Sequence, residues 1–200
     1  MFTQESFEVF EIDGLEERMA AIREEIQPIF KSLDETIKNE LEKELDDPLF
    51  IHIAQHRRRS VYPPENTWSA ISSKKSGYKM EPHFQLGIWP EYVFMYLSII
   101  DKPPKKEKVA QQLLDHILLL TQLPEGTVMN TDHTKNHYES IKQADVRHAL
   151  ERLKKVKKGE FQIGRVITKD SHLWQEPEKA LEYMLTTYRS LIPCYQLLQF

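Results

Sequence analysis

Apolar side chains recur every three or four residues in several stretches of this sequence, which is the spacing of one face of an α-helix. Asp13 and Glu16 stand three residues apart, as in a capping box, and predict the start of a first helix. Pro28 predicts a kink or a restart, because proline lacks the N–H that a helix interior needs. The same periodicity predicts further helices over 30–45, 105–123, 142–157 and 177–192, the last limited by Pro193.

Alternating apolar and polar residues predict strands in other stretches, because successive side chains of a strand point to opposite faces of a sheet. Trp89-Pro90-Glu91 separates two of these stretches and predicts the turn of a β-hairpin. We expect 7–12 to be extended, whereas the polar stretch 127–139 supports no assignment. The predicted strands cover 49–54, 67–71, 84–88, 92–100 and 161–168.

The order of these elements differs from the regular strand–helix alternation of a parallel doubly wound sheet. No repeat and no glycine-serine linker interrupts them. A chain of 200 residues with 40% hydrophobic side chains is sufficient for one core. We therefore predict a single α+β domain over 1–200, a two-layer arrangement of a mixed, largely antiparallel sheet with helices packed mainly on one face.

The amino-acid composition limits the cellular compartment and the kind of binding partner that we expect for this protein. The single cysteine, Cys194, excludes an intrachain disulfide and a thiolate metal cage, which fits a reducing compartment. No basic leader opens the sequence, and no apolar run approaches the roughly 20 residues that span a bilayer. We therefore expect a cytoplasmic protein that does not span a membrane. The net charge of −4 disfavours a uniformly basic nucleic-acid binder.

Positive charge is concentrated between His52 and His83, a segment with six Lys or Arg, two Glu and three of the eight histidines. If the apolar residues of the hairpin face the helices, alternation turns its polar residues to the opposite face. With lysines and arginines from the loops around it, such a face suits an anionic ligand, and Gly87 would let that ligand approach the backbone. The predicted ligand site comprises His52, Arg58, Arg59, Trp68, Tyr78, Lys79, His83, Gln85 and Tyr96, with Ser98 on the same face and His56, Arg57, Lys74 and Lys75 nearby.

A plainer interpretation of the basic stretch competes with a ligand site. In that interpretation 57–59 forms a solvated loop paired with the acidic helix over 40–47, because runs of charge are usually surface features. Trp68 and Trp89 can likewise be core residues instead of stacking platforms for a base.

Metal and cofactor motifs are weak in this sequence. Asp132 lies beside His133, and His137 follows four residues later, a spacing that can hold zinc on a helix. No HExxH pattern accompanies them, so we favour an ordinary surface loop and predict no metal site. The six glycines are scattered singly, so no phosphate loop or dinucleotide fingerprint exists, and we predict no cofactor.

The central stretch of the chain carries a set of short motifs. They are Arg58-Arg59, Pro63-Pro64, Asn66-Thr67-Trp68, Gly77 to Met80 and Pro82 to Gln85. On these motifs the sequence resembles the YktB-like family of uncharacterised proteins from Bacillus and related bacteria, with Asn66 where the family pattern has an acid. The resemblance implies an α+β domain of similar size inside a bacterial cell, and it implies no reaction.

Three classes of function follow from these observations. The favoured one is a binding module whose basic sheet face takes an anionic small molecule, a nucleotide or a short nucleic acid. The second is an enzyme of unassigned class, in which His52 or His83 serves as acid or base. The third is an interaction domain with no small-molecule site, whose protein partner is unknown. Whether the protein is an enzyme stays open at this point.

Overall fold

Strands form where the alternating pattern predicts them, in a computed structural model that describes residues 1–101 and 103–200. The described residues form one open sheet in the spatial order β1-β2-β3-β4-β7-β5-β6, in which every pairing is antiparallel. Two short strands arise in the stretch for which the sequence supported no assignment, the second ending one residue beyond it. The strands are β1 Phe50–Ile53, β2 Thr67–Ser72, β3 His83–Ile88, β4 Tyr92–Ile99, β5 Val128–Asn130, β6 Glu139–Ser140 and β7 Phe161–Thr168.

Helices account for most of the rest of the described chain. The prediction for 7–12 is wrong up to residue 11, because 7–11 belong to a helical segment in which Phe7 and Phe10, one turn apart, are both buried. The expected capping box is also absent, since the first long helix begins after Gly14 without a side-chain cap. The α-helices are α1 Gln4–Glu8, α2 Leu15–Ala21, α3 Gln27–Leu45, α4 Lys106–Asp115, α5 Ile117–Thr121, α6 Val146–Lys155 and α7 Pro177–Leu197.

Prolines affect the helices as the sequence predicts at Pro28, where the helix restarts, and differently at Pro193. A π-helical turn, Ile22–Ile26, joins α2 to α3, and Pro28 sits in the first turn of α3, where its missing N–H costs nothing. The prediction that Pro193 limits α7 is wrong, because the helix continues to Leu197 and buries Cys194 and Tyr195 after the exposed proline. The helix predicted over 105–123 is divided at His116 into α4 and α5.

The two faces of the sheet differ, as predicted from alternation. Phe84 and Met95 point to the helices and join the main core with residues of α3, α6 and α7. The opposite face carries a smaller cluster around Phe94 and Tyr96, packed with Trp89, Tyr92 and Val128. The sheet face that carries no helices is therefore the one on which a site can form.

None of the helices in the described ranges has the length and apolar composition needed to cross a membrane.

Candidate functional site

A cleft of about 620 Å³ opens on the sheet face that carries the smaller aromatic cluster. This is within the size range of small-molecule sites. Its walls come from the β1–β2 loop, from the turn that follows β2, from the β3–β4 turn and from the β5–β6 loop. The lining residues are Ala54, Gln55, His56, Arg57, Arg58, Arg59, Glu65, Asn66, Trp68, Tyr78, Lys79, Trp89, Asp101, His133 and Thr134.

The β1–β2 loop that carries the arginines is tied down at both ends. Buried Arg18 donates from Nε to the carbonyl of Ile12 (2.8 Å) and from Nη1 to the carbonyl of Pro64 (3.1 Å). His56 has a left-handed backbone with φ of 48°, and its carbonyl accepts the N–H of Arg59 at 2.9 Å. A non-glycine residue in this region is uncommon and often marks a functional loop. The tight turn places three consecutive arginines on the wall of the cleft.

His56 is a neutral member of the cleft. Its Nε2 lies 3.0 Å from Oγ1 of Thr67, and its ring meets Trp68 edge to face. Burial, together with the charges of Arg59 and Lys79, lowers its pKa to about 4. The imidazole therefore offers hydrogen bonds near neutral pH without adding charge.

The guanidinium groups of 57–59 are exposed and have no acidic partner among the described residues. The expected pairing with the acidic helix is wrong. Within that helix, Glu40 pairs with Lys43 and with Arg189 of α7, and Glu42 accepts the backbone N–H of Leu49 at 2.7 Å. The arginines are thus available to an anionic ligand.

Aromatic side chains line the same cleft as the arginines. Trp68 donates its indole N–H to the hydroxyl of Tyr78 at 3.0 Å, and the ammonium of Lys79 lies 5.5 Å from the centre of the Trp68 ring. The same ammonium pairs with Asp101 at 3.2 Å. Trp89 is almost fully buried at the cleft floor. Cationic and aromatic side chains therefore share one cavity.

Two predicted histidines lie outside the cleft, although alternation placed them on the correct face. Nε2 of His52 lies 2.8 Å from the carbonyl of Lys74, and Nδ1 of His83 lies 2.8 Å from the carbonyl of Glu81. Both rings pack against Tyr78, at 5.2 and 4.9 Å between ring centres, and neither lines the cavity. Burial lowers the pKa of His83 to about 4, so this histidine is neutral at physiological pH.

The remaining basic residues of the predicted stretch are also placed elsewhere. Lys74 lies 3.8 Å from Glu81, and Lys75 lies over the ring of Phe50.

The expectation for Gly87 is wrong, because a Cβ added there would come within 2.1 Å of the Phe94 ring. That ring already covers the backbone that a ligand was expected to approach. Of the predicted site, the cleft contains Arg58, Arg59, Trp68, Tyr78 and Lys79.

A small polar recess continues from the floor of the cleft. Gln85 and Ser98, both predicted for this face, hydrogen-bond with Gln162 of β7 in a closed triangle of 2.9 Å contacts. Tyr96 is fully buried, its hydroxyl has no partner among the described residues, and burial raises its pKa. The recess has room for about 10 Å³ and is lined by Asn66, Trp68, Gln85, Trp89, Phe94, Tyr96, Asn130, His133 and Gln162.

His133 belongs to both the cleft and the recess, and its partner is a residue that the sequence did not indicate. Its Nδ1 lies 2.7 Å from Oε2 of Glu160, and its backbone N–H reaches the same oxygen at 3.0 Å. Oε1 of Glu160 accepts the N–H of Asp101 at 3.0 Å. Burial alone would raise the pKa of Glu160, but these bonds hold it below its ordinary value. Nothing in the spacing of residues 133 and 160 signals this contact.

The weak metal candidates are only partly brought together. Ligand atoms of Asp132, His133 and Glu160 lie within 4.8 Å of one another. Oδ1 of Asp132 already accepts the N–H and the hydroxyl of Thr134, so the group is connected by its own hydrogen bonds. The segment is not helical, and exposed His137 contacts Glu139 instead. The helical histidine pair that the spacing allowed is therefore not formed, and both histidines lie in a loop, the interpretation that the sequence favoured.

Comparison with known proteins places these features in a family. Residues 2–195 match a family model described as "Domain of unknown function (DUF1054)". A UPF0637 protein of Enterococcus faecalis is 57% identical over 98% of this chain and 97% of that relative. UPF0637 protein YsbB of Lactococcus lactis is 50% identical over 98% of each chain, and a UPF0637 protein of Exiguobacterium sibiricum is 40% identical over 99% of this chain and 98% of the relative. The resemblance expected from the central motifs is confirmed.

Proposed function

Because the chain belongs to the family described as a domain of unknown function (DUF1054), its function has to be inferred from the cleft, and we propose that the cleft binds a mononucleotide. The observation that supports this proposal is the meeting of unpaired arginines and an aromatic wall in one cavity of about 620 Å³. A nucleotide has both an anionic phosphate and a planar base, and each matches one wall.

The phosphate end of the ligand is assigned to the arginines. Guanidinium groups bind phosphate oxygens through paired, charge-assisted hydrogen bonds, and Arg58 is the middle residue of the three. Lys79 and neutral His56 add donors in the same cavity. Glu65 and Asp101 lie in the wall as well, so the cleft is not uniformly positive and a large polyanion suits it less.

The base is assigned to the wall formed by Trp68, Tyr78 and Trp89. Contact between a base and an aromatic side chain contributes about 1–3 kcal/mol and tolerates any base, because every base has a π-face. His52 and His83 take no part in this proposal, since neither lines the cavity.

Titration calorimetry with AMP, adenosine and ribose 5-phosphate tests the proposal. AMP is expected to bind more tightly than either part, and its affinity is expected to fall as salt is raised. Arg58→Ala is expected to weaken AMP binding about 10- to 100-fold, the loss of one charge-assisted hydrogen-bonding group of about 1.5–3 kcal/mol. Arg147→Ala is the matched control, because Arg147 is exposed on α6 and does not line the cleft. No heat with any of the three compounds, or equal losses in both variants, would refute it.

A further inference from the structure

The pairing of His133 with Glu160 has the geometry of an oriented acid–base histidine. The carboxylate holds Nδ1 at 2.7 Å and is itself held by the backbone N–H groups of His133 and Asp101. This arrangement fixes the ring and selects the tautomer with hydrogen on Nδ1, as a carboxylate does for a catalytic histidine. Nε2 has no hydrogen bond to a described residue. The side chain of His133 is 20% exposed, so solvent and substrate can reach it.

A second and independent observation lies directly beside this ring. The recess that His133 shares with Tyr96 has about 10 Å³, which is close to the space one water needs. Tyr96 is fully buried and its hydroxyl has no described partner, although most buried hydroxyl groups have one. Amide side chains of Asn66, Asn130 and Gln162 supply further polar atoms around it. The recess thus offers several groups that can orient one small polar molecule next to His133.

We propose that the cleft is an active site in which His133 acts as general base for hydrolysis of a phosphate ester, with Glu160 as its positioning residue. The proposal rests on the mononucleotide site, because the same arginines hold the phosphate. A water molecule in the recess loses a proton to Nε2 of His133, and its oxygen forms a bond to phosphorus. The bond between phosphorus and the ester oxygen breaks, and the leaving oxygen keeps the electron pair and takes a proton from solvent. His133 then returns its proton to solvent.

The arginines have a defined role in this reaction. Negative charge on the phosphoryl oxygens is stabilised in the transition state by cationic donors that are already in place. The charged groups that share the cleft with His133 are Arg57, Arg58, Arg59, Lys79, Glu65 and Asp101, and Asp132 and Glu160 adjoin it in its own cluster. Buried His83 is neutral and contributes no charge near neutral pH.

Release of 4-nitrophenolate from 4-nitrophenyl phosphate and from bis(4-nitrophenyl) phosphate measures the activity, with the full chain and its variants. His133→Ala is expected to lower the turnover rate by about 10²- to 10⁴-fold, the usual contribution of a general base. Glu160→Gln is expected to lower the turnover rate less and to leave KM unchanged, since the ring is no longer held by a carboxylate in the tautomer with hydrogen on Nδ1. His137→Ala is the matched control, because this histidine lies in the same loop and outside the cleft.

Calorimetry with AMP accompanies every assay and separates the two proposals. AMP binding that persists in His133→Ala shows that the variant is folded, so a lost rate is then a chemical loss. Binding of AMP without turnover of either ester would overturn the active site and leave the nucleotide site intact. Turnover unchanged in His133→Ala would overturn the role of this histidine. Turnover abolished by a chelator and restored by a divalent metal would also overturn it, because His133 would then be a metal ligand. Absence of both binding and turnover would overturn both proposals.

Discussion

Asp34 is a buried carboxyl group whose replacement is expected to stabilise the protein above neutral pH. It lies in α3, is completely inaccessible to solvent, and neither carboxyl oxygen has a hydrogen-bond donor among the described residues. The nearby hydroxyl of Ser69 donates instead to the carbonyl of Leu86 at 3.3 Å. Burial raises the pKa of Asp34 to about 7, the Ser69 hydroxyl opposes this rise, and the charge of Glu35 adds to it.

The expected magnitude follows from the two pKa values of this group. In the unfolded chain the carboxyl group titrates near 3.8, and in the folded protein near 7. Between these values the folded state binds the proton and the unfolded state does not, so stability falls as pH rises. At about 1.36 kcal/mol for each pH unit, the total loss is about 4 kcal/mol, and it is complete above about pH 7. Asp34→Asn removes this titration, because an amide stays neutral.

Urea denaturation of the wild type and of Asp34→Asn at several pH values measures the effect. The difference in unfolding free energy between the two proteins isolates residue 34, because every other titrating group is common to both. We expect this difference to move by about 4 kcal/mol in favour of the variant between about pH 4 and pH 8. The buried amide of the variant has no hydrogen-bond partner, and the free-energy cost of this is the same at every pH. It shifts the plot of the difference against pH as a whole and leaves its slope unchanged. A difference that stays within about 1 kcal/mol across this range would refute the reasoning.

Three further outcomes are expected from buried groups. The pKa of His83 falls from 6.5 to about 4 on folding. The stability that this histidine contributes is therefore lost as pH falls through this interval, by about 3 kcal/mol. His83→Gln should remove that part of the pH dependence of urea denaturation, and an unchanged pH dependence would contradict the expectation. Gly87→Ala should cost about 1–3 kcal/mol, because the new methyl group collides with the Phe94 ring, and Phe94→Leu in the same chain should recover part of the loss. Cys194 is buried, with a thiol pKa raised to about 11, so a disulfide reagent should modify it only in denaturant, and rapid reaction of the native protein would show that it is accessible.

The fold could be predicted where periodic patterns are long. The alternation in β3 and β4 correctly assigned both faces of the hairpin, because each residue there is constrained by a core on one side. The short β5 and β6 could not be predicted, since β5 is held by pairing with β7, more than thirty residues later. The helical start of the chain was missed because few other apolar residues lie at helical spacing from its aromatic residues. Long-range contacts, such as that of Phe7 with Trp174, stabilise this segment.

The candidate site could be predicted only as far as one loop and one sheet face determine it. The consecutive arginines and Trp68 could be recognised as site candidates from the sequence, and all of them line the cleft. His52 and His83 share the correct face, but the turn that carries Tyr78 packs over them and separates them from the cavity. The contact between His133 and Glu160 depends on how β5 joins β7, and no spacing rule predicts that approach.

The three tryptophans provide the most direct test of a ligand site in the cleft. Trp68 and Trp89 line the cavity, whereas Trp174 packs against Phe2 and Phe7 and donates its indole N–H to the carbonyl of Thr168. A ¹H–¹⁵N spectrum resolves one indole signal for each, and we would record it during titration with AMP. We expect saturable shifts of the Trp68 and Trp89 signals and an unmoved Trp174 signal, with the shifts lost in Arg58→Ala at the same AMP concentration. Equal small drifts of all three signals, or a shift of Trp174 alone, would contradict a nucleotide site in this cleft.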